Sequence, residues 1–178
     1  MTTRWTTIDS PIGELLLTGD DVGLTRVYME TRRHGPAEVA PEWVRDDGPF
    51  QAATEQLNAY FAGERTEFDL ALNPSGTPFQ CKVWDALRTI PYGEVRSYGE
   101  IAEQIGKPGA ARAVGLANGR NPISIIVPCH RVIASDGRLT GFGGGLAAKF
   151  ALLKLEGIEV DGMQASSRVH PEVIPLDL

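Results

Sequence analysis

Cysteine and histidine are scarce in this chain. Its 178 residues include two cysteines, Cys81 and Cys129, and three histidines, His34, His130 and His170. Two cysteines are too few for a disulfide framework. With so few histidines beside them they cannot build a zinc site, so no metal is expected. A reduced, cytoplasmic protein follows. No apolar run approaches the roughly 20 residues that a membrane span needs. The opening Met1-Thr2-Thr3-Arg4-Trp5 leads into an alternating strand pattern, not a signal peptide. No internal repeat is visible. What the chain does have is 42% apolar residues, enough for a packed core. Its length suits one or two small domains.

Net charge is −6, which on its face argues against a polyanionic partner. The distribution reverses that. Residues 1–77 carry 6 basic and 13 acidic side chains, residues 78–155 carry 10 and 5, and residues 156–178 carry 1 and 5. The middle segment is therefore net basic between two acidic ones. A basic face on an acidic protein suits a polyanion held by one surface; chance clustering of surface charge is the alternative.

Trp5–Asp9, Glu14–Thr18 and Leu24–Met29 read as short strands of an antiparallel meander, broken by Ser10-Pro11-Ile12-Gly13 and Gly19-Asp20-Asp21. Residues 31–48 read as a polar loop. Phe50, Ala53, Leu57 and Phe61 recur at helical spacing, and Gly63 ends that helix. Asn73-Pro74-Ser75-Gly76 reads as a linker, dividing the chain into 1–76 and 77–157, with a loosely ordered tail over 158–178. Thr77-Pro78-Phe79-Gln80 and Ser97-Tyr98-Gly99-Glu100 are capping boxes. The second opens a helix to about Ile105, stopped by Gly106, and a further helix runs from Ala110 to Ala117. That is a helix-turn-helix pattern. Leu146, Phe150 and Leu153 mark a last helix, closed by Gly157. The fold class expected is α+β: a small N-terminal antiparallel sheet plus helix, then a helical, winged-helix-like C-terminal part.

Pro128-Cys129-His130-Arg131-Val132 carries the chemistry. It follows the apolar run Ile123–Val127, which reads as a strand delivering Cys129 at its end. His130 and Arg131 place hydrogen-bonding or cationic groups beside the sulfur, favouring the thiolate, a nucleophile that needs no cofactor. The helix Ala110-Ala111-Arg112-Ala113-Val114-Gly115 is built of small residues, with Arg112 as its single long probe. A major-groove reading helix carries several long polar side chains. Small residues suit close approach to a narrow surface such as the DNA minor groove, or tight packing in a core.

Ile126-Val127-Pro128-Cys129-His130-Arg131-Val132-Ile133 resembles the active-site signature of O6-alkylguanine-DNA alkyltransferases, the DNA-repair proteins that take an alkyl group from guanine O6 onto cysteine. The resemblance extends through Pro91-Tyr92-Gly93-Glu94-Val95, Ser97-Tyr98, the 110–115 helix and Asn118-Gly119-Arg120-Asn121-Pro122. Beyond the cysteine it continues through Gly141-Phe142-Gly143-Gly144-Gly145 and Leu152-Leu153-Lys154-Leu155-Glu156. It covers 78–157 strongly. The N-terminal part resembles the family more loosely, through Ile8-Asp9-Ser10-Pro11-Ile12-Gly13 and Leu57-Asn58-Ala59-Tyr60-Phe61.

The resemblance implies a scaffold domain over 1–76 and a DNA-binding, alkyl-acceptor domain over 77–157. It implies irreversible transfer to Cys129 from O6-alkylguanine in double-stranded DNA, once per molecule and without cofactor. His130 would serve as base through a water, oriented by Glu156, and Asn121 would brace the backbone. Arg112 would fill the space left by a flipped base, with Ala110, Ala111, Ala113 and Gly115 against the minor groove. Tyr98 would press on the neighbouring phosphate and meet the guanine edge. Val132, Phe142, Gly143 and Lys149 would surround the base. The implied protein is a monomer, able to cluster on DNA.

Some residues depart from the family's pattern. Gly143 stands where some relatives have serine and Phe142 where some have tyrosine, so two hydroxyls are lost. Ser124 replaces a proline of some relatives, and a roomier slot follows. The ligands of an N-terminal zinc found in some members are absent. Taken singly, Tyr98 reads as a core aromatic, Glu156 as a solvated helix end and Asn121-Pro122 as turn chemistry. Cys81 reads as structural, and His34 and His170 as solvated loop residues. Three rival functions remain. A lesion sensor would lack the cysteine. A cysteine hydrolase would need an oxyanion hole. A transcription regulator would want longer polar residues on the 110–117 helix.

Overall fold

A computed structural model describes residues 1–29, 39–162 and 166–169. The chain runs β1 (Arg4–Ile8), β2 (Leu15–Gly19), β3 (Leu24–Met29), β4 (Val44–Arg45), α1 (Gln51–Phe61) and α2 (Pro78–Leu87). It continues with β5 (Arg96–Ser97), α3 (Tyr98–Gln104), α4 (Ala111–Gly119), β6 (Val132–Ile133) and α5 (Leu146–Leu155). The class is α+β.

The three N-terminal strands form the antiparallel meander that their alternation predicts, with Trp5 opposite Thr18 and Leu15 opposite Met29. Leu15, Leu17, Val27 and Met29 are buried in one core with Ala53, Leu57 and Tyr60 of α1. The region read as a polar loop holds an exception. Val44–Arg45 adds to the edge of β1 in parallel, giving the order β3-β2-β1-β4 among the described residues. Two residues, both exposed, carry no periodicity, and only the free edge of β1 recruits them.

Both capping boxes form as the sequence predicts. Thr77 caps α2 and Ser97 caps α3, each reciprocated by the residue three places on, Gln80 and Glu100. Such caps contribute about 1 kcal/mol each. Gly106 ends the α3 segment with φ 77°, a left-handed conformation that glycine adopts without penalty. The turn then leads into α4, which packs on α2 and α3 through Val114 and Ala117. Trp84 of α2 fastens this contact, its Nε1 donating to the carbonyl of Ala117 at 2.9 Å. The small residues of α4 therefore bear out the packing reading on one side of the helix. One face is core, while Arg112, Ala113 and Leu116 stand exposed on the other.

Two expectations are corrected here. The run Ile123–Val127 is not a strand. It forms a looped turn in which Ile125 has φ 75° and Val127 donates from its N–H to the carbonyl of Ile123 at 3.0 Å. Only its start pairs with β3, where the Val27 carbonyl accepts from Ser124 N, and the four apolar side chains of the run are there because the loop is buried. The second concerns the loosely ordered tail. Its described residues are packed: Ile158 and Val169 are buried with Val95, Ile133, Leu139 and Leu153, and Val160 bridges to Val169. His34, His170 and the rest of that tail lie outside the described residues.

Candidate active site

The strand pair β5–β6 determines where the site lies. It is parallel, with Arg96 opposite Val132 and Ser97 opposite Ile133. Ser97 caps α3, so Tyr98 opens that helix beside the short 3-10 turn Cys129–Arg131 that precedes β6. Cys129 is buried at the start of this turn, and its carbonyl accepts from Asn118 Nδ2 of α4 at 3.3 Å. The α3–turn–α4 unit and the cysteine are thus tied together directly.

His130 and Glu156 lie fully buried side by side, with Nε2 to Oε2 at 2.6 Å. Glu156 stands at the C-cap of α5 and is no solvated helix end. Arg131 approaches the same carboxylate with Nε at 2.7 Å and Nη2 at 3.1 Å, while its Nη1 donates to the carbonyl of Ile90 at 2.7 Å. This corrects the placement expected for Arg131. Its guanidinium neutralises Glu156 and is not committed to the sulfur. Two more donors reach the carboxylate: the Tyr60 hydroxyl at 2.5 Å and the Gly93 N–H at 3.3 Å.

These contacts fix the protonation states. Burial alone would raise the Glu156 carboxyl, but His130 and Arg131 outweigh it and hold it well below the usual carboxylate range. Burial pushes the His130 imidazole down, against the pull of Glu156. The result is an anionic Glu156 paired with a cationic Arg131, and a neutral His130. A neutral imidazole that donates from Nε2 carries its basic lone pair on Nδ1. Nδ1 is buried with no hydrogen-bond partner among the described residues, so none of them takes up the proton-accepting atom.

Lys149 is fully buried on α5 and donates to the carbonyls of Val132 and Leu139, both at 2.7 Å. Burial pushes its ammonium down to about 8, partly resisted by attraction to Cys129. Asn121 is buried too and knits the loop before the cysteine. Its Nδ2 donates to Val127 O and Ile123 O, and its Oδ1 accepts from Ile123 N.

A cleft of about 530 Å³ lies next to this centre, which it meets through Asn118; it is walled by Tyr98, Arg112, Gly115, Asn118, Thr140 and Phe142, with Ala111, Leu116 and Gly143 also on its wall, and Cys129 lies behind that wall. Val132 and Lys149, expected around the base, are fully buried and form no part of that wall. The Tyr98 hydroxyl pairs with Thr140 Oγ1 at 2.8 Å. Burial raises its phenol, partly offset by Thr140. Thr140 itself holds φ 61°, an uncommon conformation for a β-branched residue. Cys81 sits apart on α2, half-buried, its thiol 3.8 Å from the Gly76 carbonyl.

Sequence reasoning missed Tyr60, Asn118 and Thr140. Helical spacing puts Phe61 on the apolar stripe of α1, yet Tyr60 is the side chain fully buried there. It lies three residues beyond Leu57, on the same helical face. A hydroxyl on a core-facing position needs a partner, and that need was the available signal.

Comparison with known proteins agrees with this geometry. Residues 78–158 match the family model described as 6-O-methylguanine DNA methyltransferase, DNA binding domain, and residues 3–74 match its ribonuclease-like domain. A methylated-DNA–protein-cysteine methyltransferase of Mycobacterium tuberculosis is 62% identical over 153 residues, covering 86% of this chain and 92% of that protein. One from Methanosarcina acetivorans is 57% identical over 150 residues, covering 84% and 95%. The crystal structure of Mycobacterium tuberculosis OGT in complex with DNA superposes with a TM-score of 0.82 at 61% identity, covering 86% of this chain and 93% of that one. With the two family models matching residues 3–74 and 78–158 and such identity over most of its length, the chain belongs to the 6-O-methylguanine DNA methyltransferase family.

Proposed function

We propose that this protein repairs DNA by direct reversal, moving the alkyl group of O6-alkylguanine in double-stranded DNA onto Cys129, irreversibly and once per molecule. One observation carries the reading. Cys129 is followed by a neutral, buried His130 whose Nε2 is committed to Glu156 and whose Nδ1 is not, beside a cleft that reaches an exposed arginine. His130 takes the thiol proton onto Nδ1 through a water. The sulfur attacks the alkyl carbon in line. The S–C bond forms as the C–O6 bond breaks, and the electron pair leaves with guanine, which takes up one proton. The net exchange is the thiol hydrogen for the alkyl group. Lys149 attracts the sulfur's developing charge, and Tyr98 supplies a hydroxyl at the guanine edge.

The reacting carbon lies inside the duplex, so the base must leave the stack at a cost of a few kcal/mol. Arg112, exposed on the free face of α4, fills the gap it leaves. Ala110, Ala111, Ala113 and Gly115 keep that face low enough for the minor groove. In this reading α3 and α4 act as a helix-turn-helix, Phe142 and Gly143 flank the base, and Val132 and Lys149 shape the site from behind. Residues 1–76 and 77–157 form two units with a tail beyond. The protein is a cytoplasmic monomer able to cluster on DNA, its cysteines kept as thiols.

The test is to mix the protein with excess duplex carrying one O6-methylguanine and take peptide mass spectra. One methyl on the Cys129 peptide, with repair stopping at one equivalent, is the expected result. An unmodified Cys129 with an intact lesion overturns it.

A further inference from the structure

We infer that Tyr60 is a positioning residue for alkyl transfer: its hydroxyl, carried on α1 from the N-terminal half, holds Glu156 and limits how strongly that carboxylate grips the His130 imidazole. The inference rests on the reading of His130 as the base. It gives the N-terminal half, expected to be scaffold alone, a part in the chemistry.

Tyr60 and His130 share one atom. The hydroxyl donates to Glu156 Oε2 at 2.5 Å, and His130 Nε2 lies 2.6 Å from the same oxygen. Arg131 Nη2 also donates to Oε2, at the longer distance of 3.1 Å, while the other oxygen, Oε1, serves Arg131 Nε at 2.7 Å and the Gly93 N–H at 3.3 Å. A carboxylate oxygen that accepts strongly from a phenol has less charge left to stabilise an imidazolium beside it. The phenol is always present as a donor. It is completely buried, and burial together with Glu156 raises it far above the ordinary tyrosine range. The ring is fixed by Phe61, Phe68 and Tyr92, at centroid distances of 5.3, 5.5 and 6.1 Å. Tyr92 donates to the carbonyl of Leu155 and feels Glu156 only through its charge.

Other charged groups bear on the pair. Arg131 and Lys149 both act on His130, and Arg131 acts on Glu156. Lys149, at about 8, titrates on the alkaline side, and Cys129 passes its proton to His130 in this reading, so the acid limb that position 60 can move is that of His130. Without the Tyr60 hydroxyl, Glu156 holds the His130 proton more tightly. The imidazole then stays protonated to higher pH and loses its role as base there.

The experiment is single-turnover alkyl transfer from saturating O6-methylguanine duplex between pH 5 and 8.5, with DNA affinity and denaturant midpoint measured for each variant. Tyr60→Phe keeps the ring and removes only the donor. Its acid limb is expected to move up by about half a pH unit, a roughly threefold loss of rate on that limb. The rate recovers at alkaline pH, and DNA affinity is unchanged. Placing 3-fluorotyrosine at position 60, a stronger donor of nearly the same shape, moves the limb down and covers the case in which Tyr60→Phe does not fold. An equal loss at every pH, or a limb unmoved in both proteins, overturns the inference. His130→Gln separates the two readings. If the limb vanishes there but stays unmoved at position 60, only the role of Tyr60 fails. If the limb survives in His130→Gln, the base assignment falls and the role of Tyr60 falls with it.

Discussion

Asn121 and Val127 close the loop that precedes the cysteine: Asn121 Nδ2 donates to the Val127 carbonyl at 2.9 Å. The same side chain accepts from Ile123 N at 3.0 Å, so one amide holds both ends of the turn. Between them Ile125 is kept at φ 75°, a conformation that costs a β-branched residue of order 1–3 kcal/mol. Asn121→Ala leaves the buried Ile123 N–H without its acceptor in a strained turn, while the Val127 and Ile123 carbonyls keep the N–H groups of Cys129 and Val127. The expected cost is about 2–4 kcal/mol, read as a lowered denaturant midpoint. Alkyl transfer should fall further than affinity for undamaged duplex, because Cys129 sits two residues beyond the clamp. A loss below about 1 kcal/mol would show that the loop holds its own shape.

Arg112 is exposed on α4 and lines the cleft. If it fills the stack behind a flipped guanine, its loss penalises only substrates that must be flipped. Arg112→Ala should slow repair of duplex O6-methylguanine by about 10- to 100-fold, equivalent to roughly 1.4–2.8 kcal/mol of flipping energy. Reaction with a free O6-benzylguanine base should stay within about twofold. Parallel rate measurements on the two substrates decide it, and an equal fall on both would sink the wedge assignment.

Local rules made much of this fold readable. Thr77-Pro78-Phe79-Gln80 and Ser97-Tyr98-Gly99-Glu100 spell out helix starts because a cap and its reciprocal partner lie within four residues. The meander was legible because alternation and tight turns are equally local. What escaped depends on distant partners. Val44–Arg45 is a strand only because β1 has a free edge. Ile123–Val127 carries a strand's composition but takes its shape from Asn121. Arg131 was placed by adjacency beside the sulfur, whereas a carboxylate 25 residues away claims its guanidinium. Tyr60 meets Glu156 across 96 residues, and no spacing rule reaches that far.

Stability should depend on pH in two stages. Burial lowers the His130 imidazole below its ordinary 6.5, so the unfolded chain takes the proton first. That contribution is complete above about 6.5 and is lost as pH falls through that region. Glu156 acts lower down. Burial would raise its carboxyl, but His130 and Arg131 bring it below the ordinary 4.5. Its contribution is therefore complete above that value and is lost as pH falls toward the folded-state pKa. Denaturation from pH 8 down to pH 3 should show a plateau and then two successive declines. His130→Gln should abolish the first. Glu156→Gln should abolish the second and cost about 3–5 kcal/mol at neutral pH, because Arg131 is left buried without its counter-charge. A plateau unbroken down to pH 5 in the wild type would contradict a buried, neutral His130.

Leu116 tests whether the free face of α4 meets DNA. It follows Arg112 by four residues, one helical turn along the same face, and is 72% exposed. An exposed leucine adds little to folding, so Leu116→Glu should change the unfolding free energy by no more than about 0.5 kcal/mol. Function should respond quite differently. On a DNA-facing surface the new carboxylate meets phosphates, and duplex affinity should drop by roughly tenfold at low salt, with the deficit shrinking as salt rises. Leu116→Lys should move affinity the other way. Reaction of both variants with a free O6-alkylguanine base should match the wild type, since Leu116, though on the cleft wall, is largely exposed and takes no part in the Cys129–His130–Glu156 contacts. Affinities for duplex that are the same for glutamate and lysine at this position would place the DNA on another face.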